Sequence, residues 1–290
     1  MNYSIVIPVH NEEKYIEDTI QSILGQTLLP FELVLVDDNS TDLTASIIQR
    51  YAKEYSFIKP IHSGSKSEAH EPGSKIINAF YKGFDELNPN WDIVAKLDAD
   101  IILPKNYFEE LIKTFQSDKQ IGMVGGIILI QKDGEWIFED IKNKNFIRGA
   151  LKTYSKECFE KIGGPRKSIG WDTLDELLAK YYGFKVKVLP ELEVRLQKPT
   201  GTDYKKQHGY KLGQGFYKMD YRFIISLISA LKVGWKRKSL RFFWSVMQGY
   251  FSQFSSSAPK IVNKEEGKFI RSYRRKGIYD KIFFRNSYVL

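Results

Sequence analysis

The 290-residue sequence predicts an α/β protein, and three observations predict it. Short runs rich in Val, Ile and Leu alternate with stretches whose apolar residues recur at helical spacing, the pattern of strands joined by crossover helices. Two of the apolar runs end on carboxylates: Val36 is followed by Asp37-Asp38, and Leu97 by Asp98-Ala99-Asp100. In open α/β sheets, ligands bind beyond the carboxyl ends of the strands. The length and a hydrophobic content of 42% suit one large domain, or one domain with an appendage.

Taken in order, residues 3–9 are β-branched, contain Pro8 and read as the first strand, followed by a loop His10-Asn11-Glu12-Glu13. A helix is expected over 14–26, where Tyr15, Ile16, Ile20, Ile23 and Leu24 share a face and the acids at its start suit the helix dipole. Residues 31–36 form a second strand, and Ser40 or Thr41 is placed to cap a helix over 43–55. The Gly-, Ser-, His- and Pro-rich stretch 62–74 reads as a loop before a helix over 75–87. A strand at 92–97, a helix at 106–115 and a strand at 122–131 follow, then a polar turn over 133–145 and a short helix at 157–162 ahead of Gly163-Gly164-Pro165.

Asp98 and Asp100 are the centre of the pattern. A strand interior rejects an unpartnered carboxylate at a cost of several kcal/mol, so the pair is expected where the strand leaves the sheet, with side chains i and i+2 on one side. Two carboxylates held that close repel, and a divalent cation relieves the repulsion. Mg²⁺ suits few protein oxygens, its other positions going to water and substrate phosphates. By itself an Asp-x-Asp also reads as a solvated turn. Further on, Gly170-Trp171-Asp172-Thr173-Leu174-Asp175-Glu176 opens another helix, which ends before Gly183. Its acids complement the dipole of a first turn. Equally, Asp172 or Asp175 suits a general base, a carboxylate that takes a hydroxyl proton in the transition state.

Other classes are excluded or disfavoured. There is no Gly-x-Gly-x-x-Gly after the first strand and no Walker A lysine, against a nicotinamide dehydrogenase or a P-loop ATPase. Cys158 is the only cysteine, so neither an intrachain disulfide nor a cysteine-based zinc site is expected, in keeping with a reducing cytosol. The sequence starts on strand-like residues, so no signal peptide is expected, and no apolar run reaches the roughly 18 residues of a membrane span.

The charge is unevenly placed. Residues 1–203 carry 25 Lys/Arg against 31 Asp/Glu, net −6, whereas residues 204–290 carry 19 against 4, net +15. In the basic part, 221–231 and 239–254 read as helices with apolar and aromatic faces, interleaved with Lys232, Lys236, Arg237, Lys238 and Arg241. Two readings stand open. The helices lie in the interface of an anionic membrane, or they pack on one another and on the rest of the protein. The basic stretch Arg271–Gly277 invites a nucleic-acid reading, but the acidic first part carries no nucleic-acid motif, and no nucleic-acid partner is expected.

Taken together, Ile5-Val6-Ile7-Pro8-Val9-His10-Asn11-Glu12, Val34-Leu35-Val36-Asp37-Asp38-Asn39-Ser40-Thr41-Asp42, Lys96-Leu97-Asp98-Ala99-Asp100 and Gly163-Gly164 followed by Gly170-Trp171-Asp172 resemble glycosyltransferase family 2 over roughly residues 1–200. The resemblance implies the GT-A fold, a Rossmann-like mixed sheet flanked by helices, here with a helical, basic and aromatic C-terminal extension. It implies a catalytic domain over 1–203, with nucleotide-sugar binding in 1–104 and the acceptor half in 105–203, and an extension over 204–290. By the same resemblance Pro8, His10 and Glu12 lie along the nucleotide, Asp38 accepts from the base, most often uracil, Asp98 contacts the ribose or phosphate side, and Asp100 holds Mg²⁺ or Mn²⁺. Asp172 stands at the catalytic base, with Asp175 as its backup. Lys75 either reaches the diphosphate or is a solvated helix start.

The implied reaction is an inverting transfer of one sugar from a nucleotide-diphosphate sugar, a UDP-sugar being favoured, to a glycan or lipid-linked glycan. The implied location is cytoplasmic, peripheral on the inner face of the plasma membrane. The sequence departs from the family in two places. Gln197 stands near the position of a metal-binding His, and an amide is a poorer ligand. The Gln-x-x-Arg-Trp motif of processive synthases is absent, which favours single addition. A nucleotidyltransferase shares acidic strand ends but needs a Gly- and Arg-rich first loop, which Pro8-Val9-His10-Asn11 is not. A non-catalytic membrane-associated protein retaining the sugar-nucleotide fold is the alternative of another class.

Overall fold

A computed structural model describes residues 1–64, 74–139, 145–198 and 208–282. The centre of the expected loop (65–73), the end of the polar turn (140–144), Pro199-Thr200-Gly201 and the expected boundary between 203 and 204 lie outside the described residues. By its internal contacts the chain forms two compact units, Met1–Lys167 with Trp171–Thr200, and Ser168–Gly170 with Gly201–Leu290.

The first unit begins as a strand–helix alternation: β1 (Tyr3–Val9), α1 (Ile16–Leu24), β2 (Glu32–Asp37), α2 (Thr44–Glu54), β3 (Ile58–His62), α3 (Ser74–Phe84) and β4 (Ile93–Leu97). It continues with β5 (Ile101–Ile102), α4 (Tyr107–Ser117), β6 (Ile121–Lys132), β7 (Glu135–Phe138), β8 (Leu151–Ser155), α5 (Lys156–Ile162), α6 (Trp171–Tyr181) and β9 (Lys185–Leu196). The strands form one mixed sheet in the order β3-β2-β1-β4-β8-β6-β9-β5, with β7 turned back on β6 as a hairpin.

Strands β1 to β4 run parallel, so their carboxyl ends share one edge. β8 runs antiparallel between β4 and β6, and β9 runs parallel to β6. All six residues of β2 are buried, as an inner parallel strand covered on both faces requires. Each fully buried Val, Leu or Ile there contributes about 1.5–3 kcal/mol. α3 lies on β1 and β2 through Gly83, where a Cβ would run into Val6 and Val36.

Every strand and helix expected in this unit is present, with ends moved by one to three residues. Strands β3, β5, β8 and β9 were not expected, and neither was β7 inside the polar turn. Ser40 and Thr41 do not cap α2. The N-cap position falls on Leu43, which has no capping side chain; Asp42 Oδ1 just ahead of it accepts from Thr44 N at 3.0 Å, and Ser40 Oγ accepts from Asn11 N at 3.0 Å.

The second unit holds four helices among the described residues: α7 (His208–Lys218), α8 (Arg222–Lys236), α9 (Leu240–Ser255) and α10 (Lys264–Ile282). α7 and α9 cross with their backbones in contact. A Cβ on Gly213 would run into the Val246 carbonyl, and one on Gly249 into that of Tyr210. Helices of the extension therefore pack on one another, which is one part of the second sequence reading.

Candidate active site

Two loops meet beyond β1 and β2. Asn11 and Asn39 both take left-handed backbone conformations, with φ of 54° and 58°, which asparagine tolerates better than most residues. Asn11 Oδ1 accepts from Thr41 N at 2.8 Å, Thr44 Oγ1 from Glu12 N at 2.9 Å, and Glu13 Oε2 from Leu43 N at 2.9 Å. These reciprocal bonds fasten the loop of Pro8, His10 and Glu12 to that of Asp37 and Asp38.

His10 is exposed, and its Nδ1 lies 2.7 Å from the Asp38 carbonyl. Asp38 is buried, accepts a hydrogen bond from Ser63 Oγ, and lies 3.3 Å from the Lys75 ammonium at the start of α3. The Lys75 side chain thus points at this acid rather than away from the site. Asp37 lies 3.3 Å from His62 Nδ1 and accepts from Ser40 N.

Asp98 and Asp100 occupy the turn that leaves β4 for β5. The buried Thr19 of α1 pins this turn, donating to the Ala99 carbonyl at 2.8 Å and accepting from Ile101 N at 3.1 Å. Lys96, 1% exposed within an otherwise apolar strand, donates to Asp98 Oδ1. Its ammonium also donates to the Gly149 carbonyl at 3.1 Å and lies 5.5 Å from the centre of the Trp171 ring. Asp100 is pushed up to about 7 by burial first, then by the charges of Asp98 and Glu12. Burial also raises Glu12, against the pull of Lys198, whose ammonium lies 3.1 Å from Glu12 Oε1. The other Glu12 oxygen is buried and has no hydrogen-bond partner among the described residues. Gln197 donates its backbone N–H to the Asp100 carbonyl at 2.9 Å, so it does stand beside this acid, while its side chain reaches the Tyr15 carbonyl.

Asp172 lies in the first turn of α6 and is half-buried. Gly149 joins it to Lys96 and Asp98: its carbonyl receives the lysine, and a Cβ built on it would lie 3.4 Å from Asp172 Cβ. Asp175 has a different environment. It is 1% exposed, accepts from Tyr154 Oη at 2.5 Å and from its own helix at Glu176 N, and lies 3.2 Å from the fully buried Lys152 ammonium. Lys152 also donates to Glu176 Oε1 at 3.0 Å and to the Asp172 carbonyl at 2.7 Å. Glu176 in turn receives Ile147 N at 2.9 Å. One ammonium thus faces two buried carboxylates and fixes the first turn of α6.

Neither lysine was singled out in the sequence, although a lysine inside an apolar strand, one residue from an acid, was a visible signal for Lys96. The two are direct partners across β4 and β8 and so point to the same face.

With one cation between two acids, Asp175 is pushed up to about 7, by burial first and by Glu176 and Asp172, with Lys152 opposing. The folded chain then keeps a proton that the unfolded chain, with an Asp pKa near ~3.9, has released. Between pH ~4 and ~7 this contribution to stability falls as pH rises, by up to about 1.4 kcal/mol per pH unit. Urea unfolding of wild type and Asp175→Asn across that range is expected to show wild type losing ground steadily with rising pH. Parallel curves would remove Asp175 as the titrating group.

Residues 4–166 match the family model described as glycosyl transferase family 2, more than half of the chain. The chain belongs to glycosyltransferase family 2. Among curated proteins, it is 40% identical over 124 residues to the uncharacterized glycosyltransferase EpsJ of Bacillus subtilis, covering 42% of this chain and 32% of EpsJ. Across the curated relatives, the matched part spans about a third to a half of their length.

Among solved structures, the mannosyltransferase PcManGT of Pyrobaculum calidifontis, in complex with GDP-Man and Mn²⁺, aligns with a TM-score of 0.59 at 16% identity, covering 97% of this chain and 81% of that one. S. aureus TarS 1–349 in complex with UDP-GlcNAc aligns at 0.55 and 17%, covering 93% and 78%. These likenesses establish the fold: this family 2 glycosyltransferase has the GT-A architecture, a mixed sheet flanked by helices with a helical C-terminal part.

Asp98 and Asp100 are the acids at the turn after β4 that could offer oxygen ligands to a divalent cation. Burial raises Asp100 first, and the charges of Asp98 and Glu12, one of whose oxygens has no hydrogen-bond partner among the described residues, raise it further. No group of three or more His, Cys, Asp or Glu among the described residues is arranged to enclose an ion. Two carboxylates alone would leave most positions of a bound cation to phosphate oxygens and water, the arrangement Mg²⁺ prefers.

Proposed function

We propose that the protein is an inverting, metal-dependent transferase that moves one sugar from a nucleotide-diphosphate sugar, a UDP-sugar being favoured, to a hydroxyl of a glycan or lipid-linked glycan, as in cell-surface polysaccharide biosynthesis at the cytoplasmic face of the membrane. The observation that carries the reading is the contiguity of Asp100, Asp98, Lys96, Gly149 and Asp172, in which two acids at the carboxyl end of β4 are linked through one lysine and one glycine to a half-buried acid of α6.

In this reading Pro8, His10 and Glu12 border the nucleotide, Asp38 accepts from its base, and Lys75 neutralises Asp38 or turns to the diphosphate. Asp98, held by Lys96, and Asp100 would hold Mg²⁺ or Mn²⁺, with the Gln197 backbone bonded to the Asp100 carbonyl. When bound, the cation offsets charge gathering on the departing diphosphate. Asp172 takes the proton of the acceptor hydroxyl as its oxygen bonds to the anomeric carbon. The bond from that carbon to the diphosphate breaks on the opposite side, and the nucleotide diphosphate leaves with the electron pair. Asp175, enclosed by Lys152 and Tyr154, holds α6 in place and leaves the base role to Asp172.

The reading is tested by calorimetric titration of UDP, GDP and their sugars, with and without Mn²⁺ or Mg²⁺. Binding is expected for one nucleotide class, to depend on the metal, and to weaken roughly 100-fold or more in Asp100→Ala. Absence of nucleotide binding with either metal would overturn the reading.

A further inference from the structure

The second unit carries a surface of its own. α8 and α9 form an antiparallel hairpin: a Cβ at Gly234, near the end of α8, would lie 3.0 Å from Phe243 near the start of α9, and the rings of Phe223 and Phe251 at the other end lie 6.0 Å apart. More than half of the large apolar side chains exposed among the described residues sit on these two helices. Ile224, Ile228, Leu231 and Trp235 recur at helical spacing as one stripe, and Leu240, Trp244 and Phe251 form a second. At the turn between the helices, Trp235 is 88% exposed, Leu240 79% and Trp244 62%.

The charge around this face has one sign. From residue 221 to residue 264 the chain holds eight Lys/Arg and no Asp or Glu, and Lys236, Arg237, Lys238 and Arg241 are all exposed beside the two tryptophans. An apolar protein groove would match the stripes but would leave these cations without a counterpart. An anionic bilayer matches both: indole rings favour the headgroup level, aliphatic side chains the acyl boundary, and Lys and Arg reach the lipid phosphates. No described helix is long and apolar enough to cross a membrane, so contact through this face runs along the surface.

We propose that the α8–α9 hairpin docks the protein on an anionic lipid bilayer, with Trp235, Leu240 and Trp244 entering the headgroup boundary and Lys236, Arg237 and Lys238 against the lipid phosphates. The proposal names the surface at which the transferase reading would meet a lipid-linked acceptor, but it stands on this face alone. Asp172→Asn is therefore expected to bind vesicles like wild type, which separates failure of docking from failure of the transfer chemistry.

The test is co-sedimentation of the full chain with phosphatidylcholine vesicles, with and without phosphatidylglycerol, and tryptophan quenching by brominated lipid. Wild type is expected to sediment with the anionic vesicles and to be quenched. The double variant Trp235→Ser/Trp244→Ser is expected to lose binding at least about ten-fold along with the quenching. Changing Lys236, Arg237 and Lys238 to Ser is expected to weaken binding to anionic vesicles roughly five-fold per residue at low salt. Equal binding to neutral and anionic vesicles, or undiminished binding by the tryptophan variant, would overturn the proposal. So would an absence of vesicle binding together with a concentration-dependent dimer that the tryptophan variant abolishes, which would assign the face to a second copy of the chain.

Discussion

Asp172→Asn is expected to lower the rate of sugar transfer by about 10²–10⁴-fold, the range a positioned general base contributes, while leaving donor affinity within about two-fold. Asparagine keeps the shape of the side chain and the helix turn but cannot take a proton. The side chain lies on the accessible side of α6, next to Gly149 and one step from the Lys96–Asp98 pair. Asp175→Asn should behave differently, because that carboxylate is enclosed by Lys152 and Tyr154 and its loss is felt in stability. The check is a steady-state assay of both variants, using the donor found by calorimetry, beside its binding isotherm. A rate within ten-fold of wild type in Asp172→Asn would end the base assignment, and a loss of donor affinity as large as the loss of rate would move Asp172 from proton transfer to donor binding.

Lys152→Met is expected to destabilise the protein by about 3–5 kcal/mol, the usual result of removing one partner from a buried charge cluster. Methionine fills a similar volume, so the cost arises from charge rather than from a cavity. Asp175 and Glu176 would stay buried without their ammonium, and the Asp172 carbonyl would lose its donor. For a unit of this size the melting temperature should fall by roughly 10 °C. At about pH 8, above the titration of Asp175, adding Asp175→Asn to the variant is expected to restore part of the loss, since one of the two orphaned charges disappears. If the double variant is no more stable than the single, the lysine acts through packing and the electrostatic account is wrong.

Much of the scaffold was readable from local pattern. β1, β2 and β4 are apolar runs with abrupt polar ends, and their positions at a shared edge follow from the parallel alternation of strand and helix. That pattern alone puts Asp37, Asp38, Asp98 and Asp100 at one edge. β8 was not readable. Leu151-Lys152-Thr153-Tyr154-Ser155 carries a lysine in its middle and looks exposed, yet it is fully buried as far as Tyr154, because acids from a helix some twenty residues away neutralise that lysine. β9 alternates charged and apolar residues over twelve positions and sits in the sheet by pairing with β6 and β5, both distant in sequence. The capping of α2 was misread for a similar reason: Ser40 and Thr41 are ordinary caps locally, but both hydroxyls bond Asn11 of another loop, Ser40 Oγ accepting from its N–H and Thr41 Oγ1 donating to its Oδ1.

The sequence by itself determined the family, the alternation of elements and the acids at the strand ends, because each depends on residues adjacent in the chain. Only the tertiary structure decided what those acids are bonded to. Lys96, bonded to its neighbour Asp98, also reaches the Gly149 carbonyl some fifty residues on, and Lys152, paired with it across β4 and β8, is set between Asp175 and Glu176. A buried charge is stable only where a distant segment supplies its partner. Of two carboxylates three residues apart, that requirement encloses Asp175 and leaves Asp172 half-buried.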